Sequence, residues 1–98
     1  MLTGKQRRYL RSLGNTIDAI MQVGKDGIDE NFLKQISEAL EARELIKLSV
    51  LNNCDMDARE ACETVCKGVK ANPVQVIGNK FIIYKKSKEK SKIVLPIK

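Results

Sequence analysis

A short apolar run, Ala19-Ile20-Met21-Gln22-Val23, leads into a turn bracketed by two glycines, Gly24-Lys25-Asp26-Gly27, and from there into a periodic stretch from Glu30 to Arg43. The run has the length and bulk of a buried strand. Asp29 is a good helix N-cap, and Phe32, Leu33, Ile36, Ala39 and Leu40 fall at the spacing of a core-facing helical stripe. Leu45 to Leu51 then alternates, with Ile46, Leu48 and Val50 on one side and Lys47 and Ser49 on the other, as in a strand with a partly exposed face. Strand, tight turn, helix and strand in direct succession restrict the chain to an α/β architecture.

The flanking segments extend that pattern. Thr3, with Gln6 three residues on, forms a capping box for a helix whose buried side draws on Tyr9, Leu10 and Leu13 and which Gly14 can stop. Asp57 and Glu60 start a third helix that turns Ala58, Ala61, Cys62, Val65 and Val69 inward and ends before Asn72-Pro73. Val74 to Ile77 and Phe81 to Tyr84 read as strands joined by a Gly78-Asn79 hairpin turn. Past the lysine-rich loop Lys85 to Lys92, Ile93-Val94-Leu95 reads as a short edge strand stopped by Pro96. The expected order is α-β-α-β-α-β-β. It describes one domain over residues 1–98, with one layer of helices on a mixed sheet of about four strands and a basic loop and tail from about residue 85.

Charge is partitioned along this chain of net charge +6. Met1 to Gly14 holds Lys5, Arg7, Arg8 and Arg11 with no acid, and Asn79 to Lys98 holds seven lysines against Glu89 alone. The middle carries an acidic excess. An acidic waist between two basic ends suits a polyanion partner better than it suits general solubility, so nucleic acid leads. No apolar run is long enough to span a bilayer, the N-terminus lacks the apolar stretch of a secretory signal, and three cysteines are an odd number. A reducing cytoplasmic setting is expected.

There is no histidine, which removes the commonest general base, every Ser-His or Cys-His pair and most zinc sites. The acids sit at helix starts and on helix surfaces, and nothing pairs them around a reactive centre. The chain reads as a non-enzyme without cofactor or small-molecule substrate. Cys54, Cys62 and Cys66 lack zinc-ligand spacing, and Cys62 and Cys66, one helical turn apart, read as small buried hydrophobes. Phe32 and Phe81 fall on apolar stripes. Tyr9 and Tyr84, each beside basic residues, are open either to base stacking or to the edge of the core.

Glycines at 24 and 27 can let a backbone approach a phosphate, with N–H groups, the helix dipole and Lys25 aimed at it; the plainer reading is a tight strand-to-helix turn. The loop is not a nucleotide-hydrolysing P-loop, which needs four residues between its glycines. Protein interaction with an acidic partner, and carboxylate or cysteine chemistry on RNA, are the competing classes.

The opening Met1-Leu2-Thr3-Gly4-Lys5-Gln6-Arg7-Arg8-Tyr9-Leu10-Arg11 resembles that of the CRM domain family (chloroplast RNA splicing and ribosome maturation), above all its single-domain bacterial YhbY-like members. The likeness continues through Val23 to Gly27, Ala39 to Lys47, and Val76 to Lys85, nearly the whole chain in order. It implies a fold similar to the C-terminal domain of bacterial translation initiation factor three. It also implies binding to ribosomal RNA in precursors of the large subunit, through Gly24, Lys25, Asp26 and Gly27 with neighbouring bases; a translation-factor-like ribosome-binding role is the variant reading. On this expectation Lys5, Arg7, Arg8 and Arg11 extend the path on one side and Lys85, Lys86 and the tail lysines on another, in a monomer. Two departures stand out: Asp26 cancels the formal charge of Lys25, and the third helix is the least family-like stretch.

Overall fold

Local capping chemistry sets the three helices. In the computed structural model, which describes residues 2–89 and 93–96, they are α1 (Gly4–Gly14), α2 (Glu30–Arg43) and α3 (Ala58–Val69). The Thr3 hydroxyl accepts the Gln6 N–H at 3.1 Å while Gln6 Oε1 accepts the Thr3 N–H at 3.0 Å, a complete capping box. Asp29 and Asp57 cap α2 and α3 by accepting the N–H groups of Phe32 and Glu60, each at 2.8 Å.

The strands are β1 (Ala19–Val23), β2 (Leu45–Val50), β3 (Asn72–Ile77) and β4 (Lys80–Tyr84), ordered β1-β2-β4-β3. β1 and β2 are parallel, with α2 as the crossover that a parallel pair needs, and β4 runs antiparallel to both its neighbours. One end of the sheet therefore gathers the glycine turn after β1, the end of β2 and the β3–β4 turn; the start of β2 and the end of β4 lie at the other, about 20 Å away.

The expected single layer of helices is corrected here. Val23, Ile46, Leu48, Val50, Phe81 and Ile83 join Ile36 and Leu40 of α2 and Ala61, Cys62 and Val65 of α3 in one core. Leu45, Val74, Ile82 and Tyr84, from the opposite face, pack with Leu10 of α1 in a second. Alternation along β2 and β4 sends side chains into both, so helices flank the sheet on two sides. Gly14 shows how closely α1 seats: a Cβ there would lie 2.6 Å from Ile82 Cδ1. That approach, and not a left-handed stop, requires the glycine.

Two further expectations change. Tyr9 is exposed, turned away from the core. Ile93 to Leu95 forms no strand; the segment closes the second core with Ile93 and Leu95. Its polar backbone groups find side chains instead of a ladder: the Ile93 N–H donates to Glu44 Oε1 at 2.9 Å, and Gln6 Nε2 donates to the Pro96 carbonyl at 3.0 Å.

Candidate nucleic-acid interface

Gly24 to Gly27 closes a β-turn in which the Gly27 N–H donates to the Gly24 carbonyl at 3.0 Å. Gly27 takes φ +74°, a left-handed conformation in which a side chain would be strained, and nothing lies within 4 Å of where its Cβ would sit. Gly24 has no such backbone demand, and a Cβ there would meet Leu51 Cδ1 at an ordinary 3.5 Å. The fold itself gives no reason for a glycine at 24. Lys25 and Asp26 are exposed at the tip, over a hollow of about 290 Å³ that Asp29, Asn31 and Gln35 also line.

What the turn can give an anion is narrower than a bare glycine loop would suggest. Gly27 spends its N–H within the turn, and the Asp29 carboxylate takes the Phe32 N–H at the start of α2. The Asp29 charge also offsets the positive end of the helix dipole. There remain the tip amides of Lys25 and Asp26, the Lys25 ammonium, and the Glu30 and Asn31 N–H groups in the first turn of α2.

The bases on α1 divide. Lys5 and Arg8 are exposed with Tyr9, whereas Arg7 and Arg11 are half-buried towards the sheet. Arg11 Nε is buried with no hydrogen-bond partner among the described residues. α1 packs over β2, β4 and β3, and the glycine turn follows the edge strand β1, so the two do not adjoin. Lys85 and Lys86 lie at the far end of the sheet from the turn. Lys85 Nζ donates to the Val69 carbonyl at 2.9 Å, closing the C-terminus of α3; Lys86 is exposed. Lys85, Lys86 and Lys88 ring a hollow of about 210 Å³ with Glu41. Lys90, Lys92 and Lys98 fall outside the described residues.

Sequence reasoning missed the residues that hold this C-terminal segment. Glu44, just past α2, is fully buried with φ +65°. Its carboxylate accepts the Ser87 N–H at 2.8 Å as well as that of Ile93, and its backbone carbonyl accepts the Lys85 N–H at 3.0 Å. One turn earlier, Glu41 accepts the Ser87 hydroxyl at 2.7 Å and the Lys88 N–H at 3.0 Å, and those bonds hold its carboxyl below the ordinary range. Burial, with the Glu44 charge nearby, pushes the Tyr84 hydroxyl up. Tyr84 is buried, which removes it as a stacking platform; Tyr9 alone of the two can reach a base.

The cysteines are free, and Cys62 and Cys66 are buried in the α2/α3 core. Their mutual hydrogen bond pushes the Cys66 thiol up, with burial adding to the rise, and draws the Cys62 thiol down; what marks them as packing residues is their place in the core. Among the described residues, no helix is long and apolar enough to cross a membrane.

Residues 2–85 match the family model described as the CRS1 / YhbY (CRM) domain. The chain is 54% identical over 96 residues to the protein named probable RNA-binding protein YqeI of Bacillus subtilis, covering 98% of this chain and 100% of that one. It is 33% identical to a Haemophilus influenzae protein named RNA-binding protein, covering 99% and 97% of the two chains. The solution structure of the hypothetical protein SAV1595 from Staphylococcus aureus superposes with a TM-score of 0.81 at 54% identity, covering 98% and 100%.

Proposed function

The chain belongs to the CRS1/YhbY (CRM) domain family, and from that membership we propose that it binds structured RNA, as a cytoplasmic factor on ribosomal RNA of large-subunit precursors. The names of its relatives support RNA as the partner. The observation that carries the site is Gly24. A residue with neither a left-handed backbone nor a crowded Cβ has no need to be glycine for the fold, and close approach of a phosphate backbone supplies the need.

In this reading the Lys25 ammonium and the amides of Lys25 and Asp26 hold a phosphate at the tip. Lys5, Arg7, Arg8 and Arg11 take further phosphates along α1, with Lys86 and its neighbours as a separate contact beyond the far end of the sheet. Such contacts position the protein without reading sequence. Gradient sedimentation of cell lysate tests the assembly role. The chain should travel with large-subunit precursors and return to the top of the gradient after RNase treatment. Association that survives RNase would assign the basic ends to an acidic protein partner.

A further inference from the structure

α1 covers only part of its face of the sheet, and from Ile82, on which Gly14 seats, a patch two residues deep extends past the helix. One row across the strands is Lys47, Ile82 and Gln75; the next is Ser49, Lys80 and Ile77. Lys47, Gln75, Ile77, Lys80 and Ile82 enclose a hollow of about 170 Å³. It is too small to enclose a drug-sized molecule, for which pockets start near 300 Å³. Its rim is basic: Lys47 and Lys80 stand diagonally across the β2–β4 pair, about 7–8 Å apart. The patch also lies towards the end of the sheet that carries the glycine turn, since Ser49, Ile77 and Lys80 flank the end of β2 and the β3–β4 turn.

Gln75 lines this hollow, and its Oε1 is buried with no hydrogen-bond partner among the described residues. A buried acceptor left unmade is costly, so it calls for a donor from outside the fold. With a phosphate on each lysine, the group carried between them is a ribose, and the donor a ribose offers is its 2′-hydroxyl. We propose that this sheet face is a second RNA-contact surface, on which Lys47 and Lys80 hold successive phosphates and Gln75 accepts the intervening 2′-hydroxyl, so that the protein distinguishes RNA from DNA here. The inference rests on the RNA-binding reading and adds to it a site and a chemical criterion.

The test compares three fluorescent single-stranded 12-mers of one base sequence, with 2′-hydroxyl, 2′-O-methyl and 2′-deoxy sugars, by anisotropy. The wild-type protein should bind the 2′-hydroxyl strand about three- to tenfold more tightly than the other two, the effect of one net hydrogen bond. The methylated sugar keeps the RNA oxygen but cannot donate. Gln75→Leu should bring the three affinities together, and Lys47→Gln with Lys80→Gln should weaken all three and flatten the log–log salt slope by about 1.4. Equal binding of the three strands by the wild-type protein overturns the inference while leaving RNA binding standing. So does a Gln75→Leu protein that is less stable but keeps the sugar preference. Failure to bind any of the three strands overturns this inference; failure to bind folded ribosomal RNA fragments in the same assay as well overturns the RNA reading itself.

Discussion

Replacing Glu44 with Gln should loosen the whole C-terminal segment. The buried carboxylate accepts the Ser87 N–H at 2.8 Å on Oε2 and the Ile93 N–H at 2.9 Å on Oε1. Hydrogen bonds to a charged group contribute about 1.5–3 kcal/mol each. Gln retains one oxygen but turns an NH2 towards the other donor, so one bond is lost and a donor faces a donor. The expected loss is about 2–4 kcal/mol, a large share of the roughly 5–15 kcal/mol that holds a domain together. The backbone provides an internal control. At φ +65° any side chain costs roughly 1–2 kcal/mol that glycine escapes, so Glu44→Gly should be more stable than Glu44→Ala by about that amount. Urea denaturation followed by circular dichroism measures the stabilities, and amide hydrogen exchange at Ser87 and Ile93 reports the local release. A Glu44→Gln protein within about 0.5 kcal/mol of wild type, with unchanged protection at both amides, would refute the reasoning.

Gly14→Ala places a Cβ 2.6 Å from Ile82 Cδ1, so Ile82 must repack at about 1–3 kcal/mol, whereas Gly4→Ala, with nothing within 4 Å, should not destabilise; thermal unfolding of the two separates them. Glu41 titrates below the ordinary carboxylate range because the Ser87 hydroxyl and the Lys88 N–H bond its charged form. A lowered folded pKa means the stabilisation is complete above the ordinary range and disappears as pH falls through the lowered value. The Lys88 amide shift should therefore be constant from pH 7 to 5 and move only below about pH 4. Movement near pH 6 would contradict the assignment.

The legible parts of this fold were those set by neighbours in sequence. Thr3, Asp29 and Asp57 cap their helices through bonds to residues three positions on, so type and spacing suffice to find them. β2 followed from alternation, β1 from a short apolar run, and β3 and β4 from β-branched runs on either side of the Gly78-Asn79 hairpin turn. What escaped depends on distant partners. Nothing near Glu44 signals a buried acceptor, because its donors lie 43 and 49 residues away. The choice of sheet face for α1 is likewise decided by which strand side chains its apolar stripe meets: the unbroken apolar run Phe81 to Tyr84 fits a strand buried on both faces, but nothing local says which helix covers Ile82 and Tyr84. For the candidate site, the glycine turn and the α1 bases were visible as residue types. The half-burial of Arg7 and Arg11, the use of Lys85 to close α3, and the sheet-face lysines required coordinates.

The most direct measurement is the affinity of Gly24→Ala for ribosomal RNA fragments at several salt concentrations, beside wild type, Lys25→Glu and the Arg7→Glu, Arg8→Glu pair. A Cβ at 24 meets only Leu51 at 3.5 Å, so this variant should fold with wild-type stability. The account predicts that it nevertheless binds RNA several-fold more weakly, that Lys25→Glu and the arginine pair lose affinity across unrelated sequences alike, and that wild-type binding falls with a log–log slope of roughly −3, as for about four phosphate contacts. Wild-type affinity in both folded Gly24→Ala and Lys25→Glu proteins would contradict it and remove the glycine turn from the RNA site.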